Sequence, residues 1–229
     1  MILMRLATAA LAALLPLSAA ADPVVVELFT SQGCSSCPPA DEMLGELAEQ
    51  EGVIALSLHV DYWDWIGWED TFGHALFSAR QRAYASAAGS SVVYTPQFVV
   101  GGIDQVAGPS GMELAQLVEA HRGVTDDVLR AASGAEGRKV MAMEVEGGGQ
   151  LVLVTVLPEA QVKIMRGENA GRTMTYHNVV VGWEVMSDWS GETTSFAVPE
   201  PEPGHSSVVL AQKLVDGKPG PVLGAVRLD

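Results

Sequence analysis

The stretch "VVVELFTSQGCSSCPPADEMLGELAEQ", residues 24–50, carries the strongest local signals in the chain. It opens with β-branched and aliphatic residues, which are typical of a buried strand, and ends with apolar residues at helical spacing. Both cysteines of the chain, Cys34 and Cys37, lie between these two segments. Pro38 and Pro39 fit the first turn of a helix, where the missing N–H groups have no partner within the helix, but no deeper position. The stretch therefore predicts a strand and a helix, with the cysteines where the helix begins.

A cysteine pair at a helix N-terminus has a definite chemical use. Unpaired backbone N–H groups and the positive end of the helix dipole favour a thiolate there. Cys34 is therefore predicted to be the attacking thiolate in thiol–disulfide exchange, and Cys37 to resolve the mixed disulfide. Asp41 and Glu42, in the next turn, oppose the thiolate electrostatically. A disulfide between cysteines this close in sequence constrains the unfolded chain little, which weakens a purely structural interpretation.

Two alternatives remain open at the sequence level. A zinc site needs four ligands, so two cysteines require further donors, and His59 and Asp61 are the candidates at the end of the second predicted strand. Copper(I) accepts fewer, soft ligands, which keeps a metal-binding module using the same cysteines as an alternative. The other alternative is a structural disulfide that never cycles.

The first half of the chain alternates between strand-like and helix-like patterns. Gly101 and Gly102 separate two strand patterns as the turn of a tight hairpin, and Ser110 is expected to cap the last helix. The predicted strands cover residues 24–29, 53–60, 91–100 and 103–108, and the predicted helices cover 40–50, 72–89 and 109–123. This order predicts an α/β domain over residues 22–130.

The second half has a different character. "AASGAEG", residues 131–137, is predicted to be a linker of small residues. Beyond it, apolar stretches are separated by Gly-rich turns, a pattern typical of antiparallel hairpins. We expect residues 138–229 to form a smaller, all-β sandwich domain.

An aromatic loop, "HVDYWDWIGWED" over residues 59–70, follows the second predicted strand. Trp63 and Trp65 are candidates for binding a partner's polypeptide beside the reactive thiol, because tryptophan offers a large contact area with a polar edge. The alternative is that these tryptophans cap the core or pack against the second domain.

Several motifs together resemble a known group of proteins. The strand leading into the cysteine pair and "YTPQFVVGG", residues 94–102, are similar to the thioredoxin superfamily. The whole mature chain resembles a bacterial family of exported thioredoxin-like proteins classed as a domain of unknown function. The quoted motifs for this second resemblance are "ELFTSQGCSSCPPAD" (27–41), "HVDYWD" (59–64), "GRTMTYHNVV" (171–180) and "GPVLGAVRL" (220–228).

The superfamily resemblance implies a thioredoxin-like fold and a role for residues outside the cysteine pair. Pro96 is expected to be a cis-proline that lies against the cysteines and shapes the site, with Thr95 contacting the substrate. No cofactor is implied beyond the dithiol, and the implied partners are protein thiols or disulfides. Gly33 replaces the tryptophan that usually precedes the first cysteine, and no obvious buried acid matches the one in thioredoxin.

The N-terminus reads as an export signal. Arg5 precedes an apolar run, Leu6 to Leu17, and Ala19 and Ala21 form a small-residue cleavage site. We expect cleavage after Ala21 and a periplasmic or secreted protein, because the apolar run is shorter than a bilayer span. The net charge of -15 argues against nucleic acid and anionic membranes as partners, and no stable membrane insertion of the mature chain is expected. The oligomeric state is not predicted.

Overall fold

The computed structural model describes residues 23–124, 127–134 and 137–228. Three α-helices and one 3-10 helix lie among eleven strands in these segments. The helices are α1 (Pro38–Ala48), the 3-10 turn Asp64–Ile66, α2 (Ala75–Ala87) and α3 (Gly111–His121). The strands are β1 (Val24–Thr30), β2 (Val53–His59), β3 (Gln97–Val100), β4 (Asp104–Ala107), β5 (Leu129–Gly134), β6 (Gly137–Ala142), β7 (Gly149–Lys163), β8 (Thr173–Trp189), β9 (Thr194–Val198), β10 (Ser206–Val215) and β11 (Lys218–Arg227).

The first half of the chain builds a sheet covered by helices on both faces. β1 and β2 pair in parallel, and β3 joins the other edge of β1 in an antiparallel direction. α1 and α3 pack on one face of this sheet, and α2 packs on the other. Every residue of β1 and β2 is buried, which explains why their sequences are nearly continuous apolar runs rather than alternating patterns.

The second half extends the same sheet. β7 and β8 form a long antiparallel hairpin, and β8 pairs in parallel with β2 where Ser57 faces Val179. The resulting eight-stranded sheet has the order β11-β10-β7-β8-β2-β1-β3-β4. A three-stranded sheet, β5-β6-β9, packs its apolar side against β7, β10 and β11. The molecule is therefore a mixed α/β structure dominated by sheet.

The predicted linker is occupied by regular structure. β5 ends at Gly134 and β6 begins at Gly137, so most of residues 131–137 belongs to two paired strands. Small residues are as compatible with an exposed hairpin as with a linker, and composition alone did not separate the two. The two sheet layers of the second half resemble the predicted sandwich, but the larger layer continues into the α/β part through β8. The division into domains at 22–130 and 138–229 stays a prediction.

Local start and stop signals account for most element boundaries. The predicted cap of α3 is confirmed: Ser110 Oγ accepts from the N–H of Glu113, and the Glu113 side chain accepts from the N–H of Ser110. Gly101 and Gly102 have positive φ angles of 60° and 73°, but the loop between β3 and β4 also includes Ile103, so it is one residue longer than the predicted two-residue turn. α2 begins later than predicted, at Ala75, because His74 caps it.

The N-terminal prediction concerns residues that the structure does not describe. The predicted signal peptide, residues 1–21, and its cleavage site lie outside the described residues. Within the described part of the chain, none of the helices has the length and apolar character needed to cross a membrane.

Candidate functional site

A disulfide bond joins Cys34 and Cys37 in the turn before α1. Cys37 is the N-cap residue of α1, and Cys34 lies one turn earlier, where its N–H donates to Ser31 O at 3.1 Å. The helix does not reach back to Cys34 because Pro38 and Pro39 have no N–H with which to extend the ladder. The prediction that Cys34 itself lies at the helix terminus is therefore corrected by one turn. Cys34 is 3% exposed and Cys37 is 0% exposed, so both are buried and Cys34 is the more accessible of the two.

The segment around Pro96 lies against this disulfide. Cys34 Sγ is 3.7 Å from Thr95 O, and Ser36 Oγ is 3.3 Å from Cys34 Sγ. Ser36 Oγ also donates to Thr95 O at 3.5 Å. The Thr95–Pro96 peptide bond is cis. The predicted site residues Thr95 and Pro96 are thus brought to the cysteine pair.

The two candidate tryptophans have different positions. Trp63 Nε1 donates to Thr95 Oγ1 at 2.7 Å, and the half-buried ring packs against the core cluster beneath α2. This contact ties the aromatic loop to the segment that touches Cys34. Trp65 is 80% exposed in the 3-10 turn, so it does not cap the core. The packing interpretation fits Trp63 and does not fit Trp65.

A buried carboxyl group follows the cysteine pair along α1. Asp41 is 4% exposed, and Thr30 Oγ1 donates to its Oδ1 at 2.8 Å. Desolvation raises the pKa of Asp41 to about 7, against a smaller opposing effect of His59. The sequence shows no obvious counterpart of thioredoxin's buried acid, and the burial of Asp41 near the cysteine pair corrects that expectation. Asp41 lies four residues after Cys37, one turn further along the same buried side of α1. Helical side chains tilt toward the N-terminus of their helix, which is the end where Cys37 lies.

His59 and Asp70 form a buried pair on the same side of the sheet. His59 Nδ1 and Asp70 Oδ2 are 2.8 Å apart, and both side chains are fully buried. Burial opposes ionisation of Asp70 and by itself would raise its pKa. The charge and hydrogen bond of His59 outweigh this effect, together with hydrogen bonds from the backbone N–H groups of Gln32 and Phe72. The Asp70 pKa is therefore lowered. Within the described residues, His59 Nε2 has no hydrogen-bond partner.

The zinc form of the metal-binding alternative required further donors, for which His59 and Asp61 were the candidates. Asp61 Oδ1 accepts from Ser78 Oγ at 2.5 Å, and His59 is engaged by Asp70. Over the described ranges, no group of three or more His, Cys, Asp or Glu residues is arranged to hold a metal ion. The structure places neither candidate ligand in a cluster with the cysteines.

A loop from the second half of the chain also contacts the cysteine turn. Asn169 Nδ2 donates to Gln32 O at 2.9 Å and to Cys34 O at 2.8 Å, and Glu168 Oε2 accepts from the N–H of Ser35 at 3.3 Å. Sequence reasoning missed these residues. No local pattern marks them, because their partners lie more than a hundred positions earlier in the chain.

A C-x-x-C disulfide between the first strand and first helix, with Thr95–Pro96 against it, defines a thioredoxin-like protein. A family model described as "Protein of unknown function (DUF1223)" matches residues 25–212, and the chain belongs to this family. Over 38 residues, or 17% of the chain, it is 42% identical to a "Probable Thioredoxin" of Archaeoglobus fulgidus. The chain covers 42% of that relative's length.

Two solved structures resemble the fold over most of the chain. A protein from Agrobacterium tumefaciens is 30% identical with a TM-score of 0.78, and the match covers 91% of this chain and 94% of that one. The protein HBP35 of Porphyromonas gingivalis is 12% identical with a TM-score of 0.60, covering 91% of this chain and 75% of that one. At that identity the second likeness shows the fold alone.

Proposed function

We propose that this protein is an exported thiol–disulfide oxidoreductase that acts on protein or small thiol partners through Cys34 and Cys37. The observation that carries the proposal is the disulfide between these residues at the strand–helix junction, beside Thr95 and Pro96. Cys34 is buried, at 3% exposure, and its sulfur has two polar neighbours, Ser36 Oγ and Thr95 O. A thiol–disulfide role also fits the partial identity to a thioredoxin.

The exchange needs no reactant beyond the partner. In the reducing direction, the Cys34 thiolate attacks one sulfur of a partner's disulfide; a mixed disulfide forms, and the other partner sulfur leaves as a thiolate. The Cys37 thiolate then attacks Cys34 Sγ, which forms the Cys34–Cys37 disulfide and releases the second partner thiolate. Two electrons pass to the partner. The reverse sequence oxidises a partner dithiol.

Asp41 is suited to the proton transfer that this sequence requires. Cys37 is fully buried, so its thiol proton needs an acceptor inside the protein. Asp41 lies one helical turn away with a pKa raised to about 7, so its protonated and ionised forms are both populated near neutral pH. We assign it the role of accepting the Cys37 proton.

Trapping of the mixed disulfide tests the proposed exchange. A Cys37→Ser variant, reduced and mixed with a peptide that holds one internal disulfide, should accumulate a covalent adduct through Cys34, measured as intact mass. Cys34→Ser should give no adduct, and the reduced wild-type protein should react once, ending with the Cys34–Cys37 disulfide and the reduced peptide without accumulating an adduct. No adduct with Cys37→Ser would overturn the proposal. Cysteines that resist alkylation in mild reductant would then indicate a non-cycling disulfide, and tight copper(I) or zinc binding that requires both cysteines would indicate a metal-binding module.

Export is the second part of the proposal. It is supported by the apolar run after Arg5 and the small residues that end at Ala21. An oxidising compartment permits the disulfide that the cytosol would reduce. Sequencing of the mature N-terminus should begin at Asp22; exported protein that still begins at Met1 would contradict this part alone.

A further inference from the structure

The loop that connects β7 to β8, residues 164–172, has a well-defined internal structure. Its ends are joined by two backbone hydrogen bonds, from Ile164 N to Arg172 O at 2.9 Å and from Gly171 N to Ile164 O at 2.8 Å. Ile164 is fully buried and anchors the loop in a small apolar cluster. Gly167 has a positive φ of 76° and lies against Trp68, where an added Cβ would come within 3.3 Å of the Trp68 Cβ. The loop is therefore held both by its own backbone and by the aromatic loop.

Asn169, in this loop, forms two hydrogen bonds to the turn that carries the cysteines. It is 3% exposed, and its amide NH₂ group donates to two backbone carbonyls, Gln32 O and Cys34 O. Both hydrogens of the amide are thus used, and both acceptors belong to the turn that carries the redox pair. Loss of the amide would leave buried carbonyl groups without this donor, which is costly in the protein interior.

Gln32 ties the same turn to the aromatic loop and to the residue that follows it. Trp68 Nε1 donates to Gln32 Oε1 at 2.8 Å, and Gln32 Nε2 donates to Thr71 Oγ1 at 2.9 Å. The backbone N–H of Gln32 donates to Asp70 at 2.7 Å. The backbone before Cys34 is therefore fixed by two loops, one from each half of the chain.

We propose that the loop of residues 164–172 is part of the redox site and that Asn169 is a positioning residue, which holds the cysteine turn in the conformation of the disulfide. This inference rests on the proposed thiol–disulfide function. A turn held in this shape keeps the two reduced sulfurs close, which raises their effective concentration toward each other and favours the oxidised form. The second half of the chain thereby sets how strongly the protein oxidises its partners.

Glu168 acts on the same turn through charge. Its carboxylate accepts from the N–H of Ser35, next to Cys34. A negative charge at this place disfavours a Cys34 thiolate, so Glu168 slows the attack of Cys34 at mildly acidic pH. Its removal should make the thiolate easier to form.

Redox equilibration of variants tests the proposal. The full chain is equilibrated with glutathione buffers of graded composition, and the fraction of Cys34–Cys37 disulfide is measured by alkylation and mass. We expect Asn169→Ala to lower the equilibrium constant for disulfide formation about tenfold, equivalent to a potential about 30 mV less negative. Asn169→Asp keeps the volume but loses both donors, and should shift the constant in the same direction. Arg172→Ala, an exposed site in the same loop, is the matched control and should leave it unchanged.

Glu168→Gln provides a second readout that does not depend on Asn169. Its side chain is exposed, so the variant should fold, and the alkylation rate of reduced Cys34 at pH 6 should rise about threefold over that of the wild type. The inference would be overturned if the Asn169 variants had the wild-type equilibrium constant and Glu168→Gln had the wild-type alkylation rate. The proposed exchange function would remain intact in that case. A wild-type protein that forms no mixed disulfide would instead contradict the proposed function itself.

Discussion

Asp41 is the residue whose burial has the clearest measurable consequence. Its carboxyl group has a pKa of about 7 in the folded protein, against 3.8 as the ordinary value. A raised carboxyl pKa means that the folded state binds more protons than the unfolded state between about pH 4 and pH 7. The contribution of Asp41 therefore makes the protein less stable as pH rises through this window, and the loss is complete above the folded pKa.

We expect Asp41→Asn to remove this part of the pH dependence. The amide oxygen can still accept from Thr30 Oγ1, so the variant should match the wild type near pH 4 and exceed its free energy of unfolding at pH 8 by about 2 to 4 kcal/mol. Urea unfolding of the oxidised protein at pH 4, 6 and 8 measures the difference. Glu42→Gln, the exposed neighbour, is the control and should follow the wild type. Equal pH profiles for Asp41→Asn and the wild type would show that burial does not raise this pKa.

The same variant should slow the exchange reaction. If Asp41 accepts the Cys37 proton, Asp41→Asn leaves the first attack by Cys34 unchanged and slows the second step, in which Cys37 releases the partner. Stopped-flow mixing should then show a longer-lived mixed disulfide, by about tenfold at pH 7. An unchanged lifetime would assign Asp41 a structural role only.

At the scale of elements, the tryptophans in and beside the 3-10 turn Asp64–Ile66 allow core packing and the proposed partner contact to be tested separately. Trp65 is exposed on this turn, whereas Trp63, just before it, is held by Thr95. Trp65→Ala should change the free energy of unfolding by less than about 0.5 kcal/mol, as expected at an exposed site, and should weaken peptide binding to the oxidised protein severalfold. Calorimetric titration with a disulfide-free peptide measures the affinity.

Trp63→Phe is the comparison for Trp65→Ala. It keeps an aromatic ring but loses the donor to Thr95 Oγ1, at a cost of about 1 kcal/mol in unfolding free energy. Stability loss in both variants, with peptide affinity unchanged, would mean that the turn serves packing alone. The sequence placed both tryptophans in one loop, but it could not distinguish them because their exposure depends on where the loop crosses the sheet edge.

Local patterns predicted the elements of the first half well and the contacts between distant elements poorly. The strand at Val24, the helix after Cys37, the Gly101–Gly102 turn and the Ser110 cap all follow from residues within a few positions of each other. β9 and the contacts of Asn169 were missed. Both are determined by partners far away in the chain, which periodicity cannot identify.

At the scale of the whole molecule, Arg80 forms a buried ion pair with Glu27 in the first half of the chain and also contacts the second half. Arg80 of α2 donates through Nε to Glu27 of β1 at 2.6 Å, and through Nη2 to Gln212 of β10 at 2.9 Å. The guanidinium also stacks on Trp183 of β8, 3.9 Å from the ring centre. One side chain thus joins the helix-covered part of the sheet to the strands that extend it. Periodicity could not identify this link, because Arg80 lies 53 positions from Glu27 and 132 positions from Gln212 in the chain.

We expect Arg80→Met to destabilise the whole molecule. Glu27 is fully buried, so loss of its cation leaves an uncompensated charge, at a cost of about 3 to 5 kcal/mol in the free energy of unfolding. Arg82→Met, an exposed position two residues on, should cost less than about 0.5 kcal/mol. Combining Arg80→Met with Glu27→Gln removes the buried charge and should recover more than half of the loss, because the penalty comes from the unpaired charge rather than from the missing contact.

Chemical unfolding followed by two signals measures the free energy of unfolding of these variants and also tests the predicted division into domains. Far-ultraviolet circular dichroism reports the whole backbone, and tryptophan fluorescence reports both halves, through Trp63, Trp65 and Trp68 in the first and Trp183 and Trp189 in the second. Because Arg80 joins both halves and β8 pairs with β2, we expect one transition, shifted as a unit to lower denaturant in Arg80→Met. Two separated transitions, only one of which moves, would mean that the halves fold independently and that the shared sheet contributes little to cooperativity.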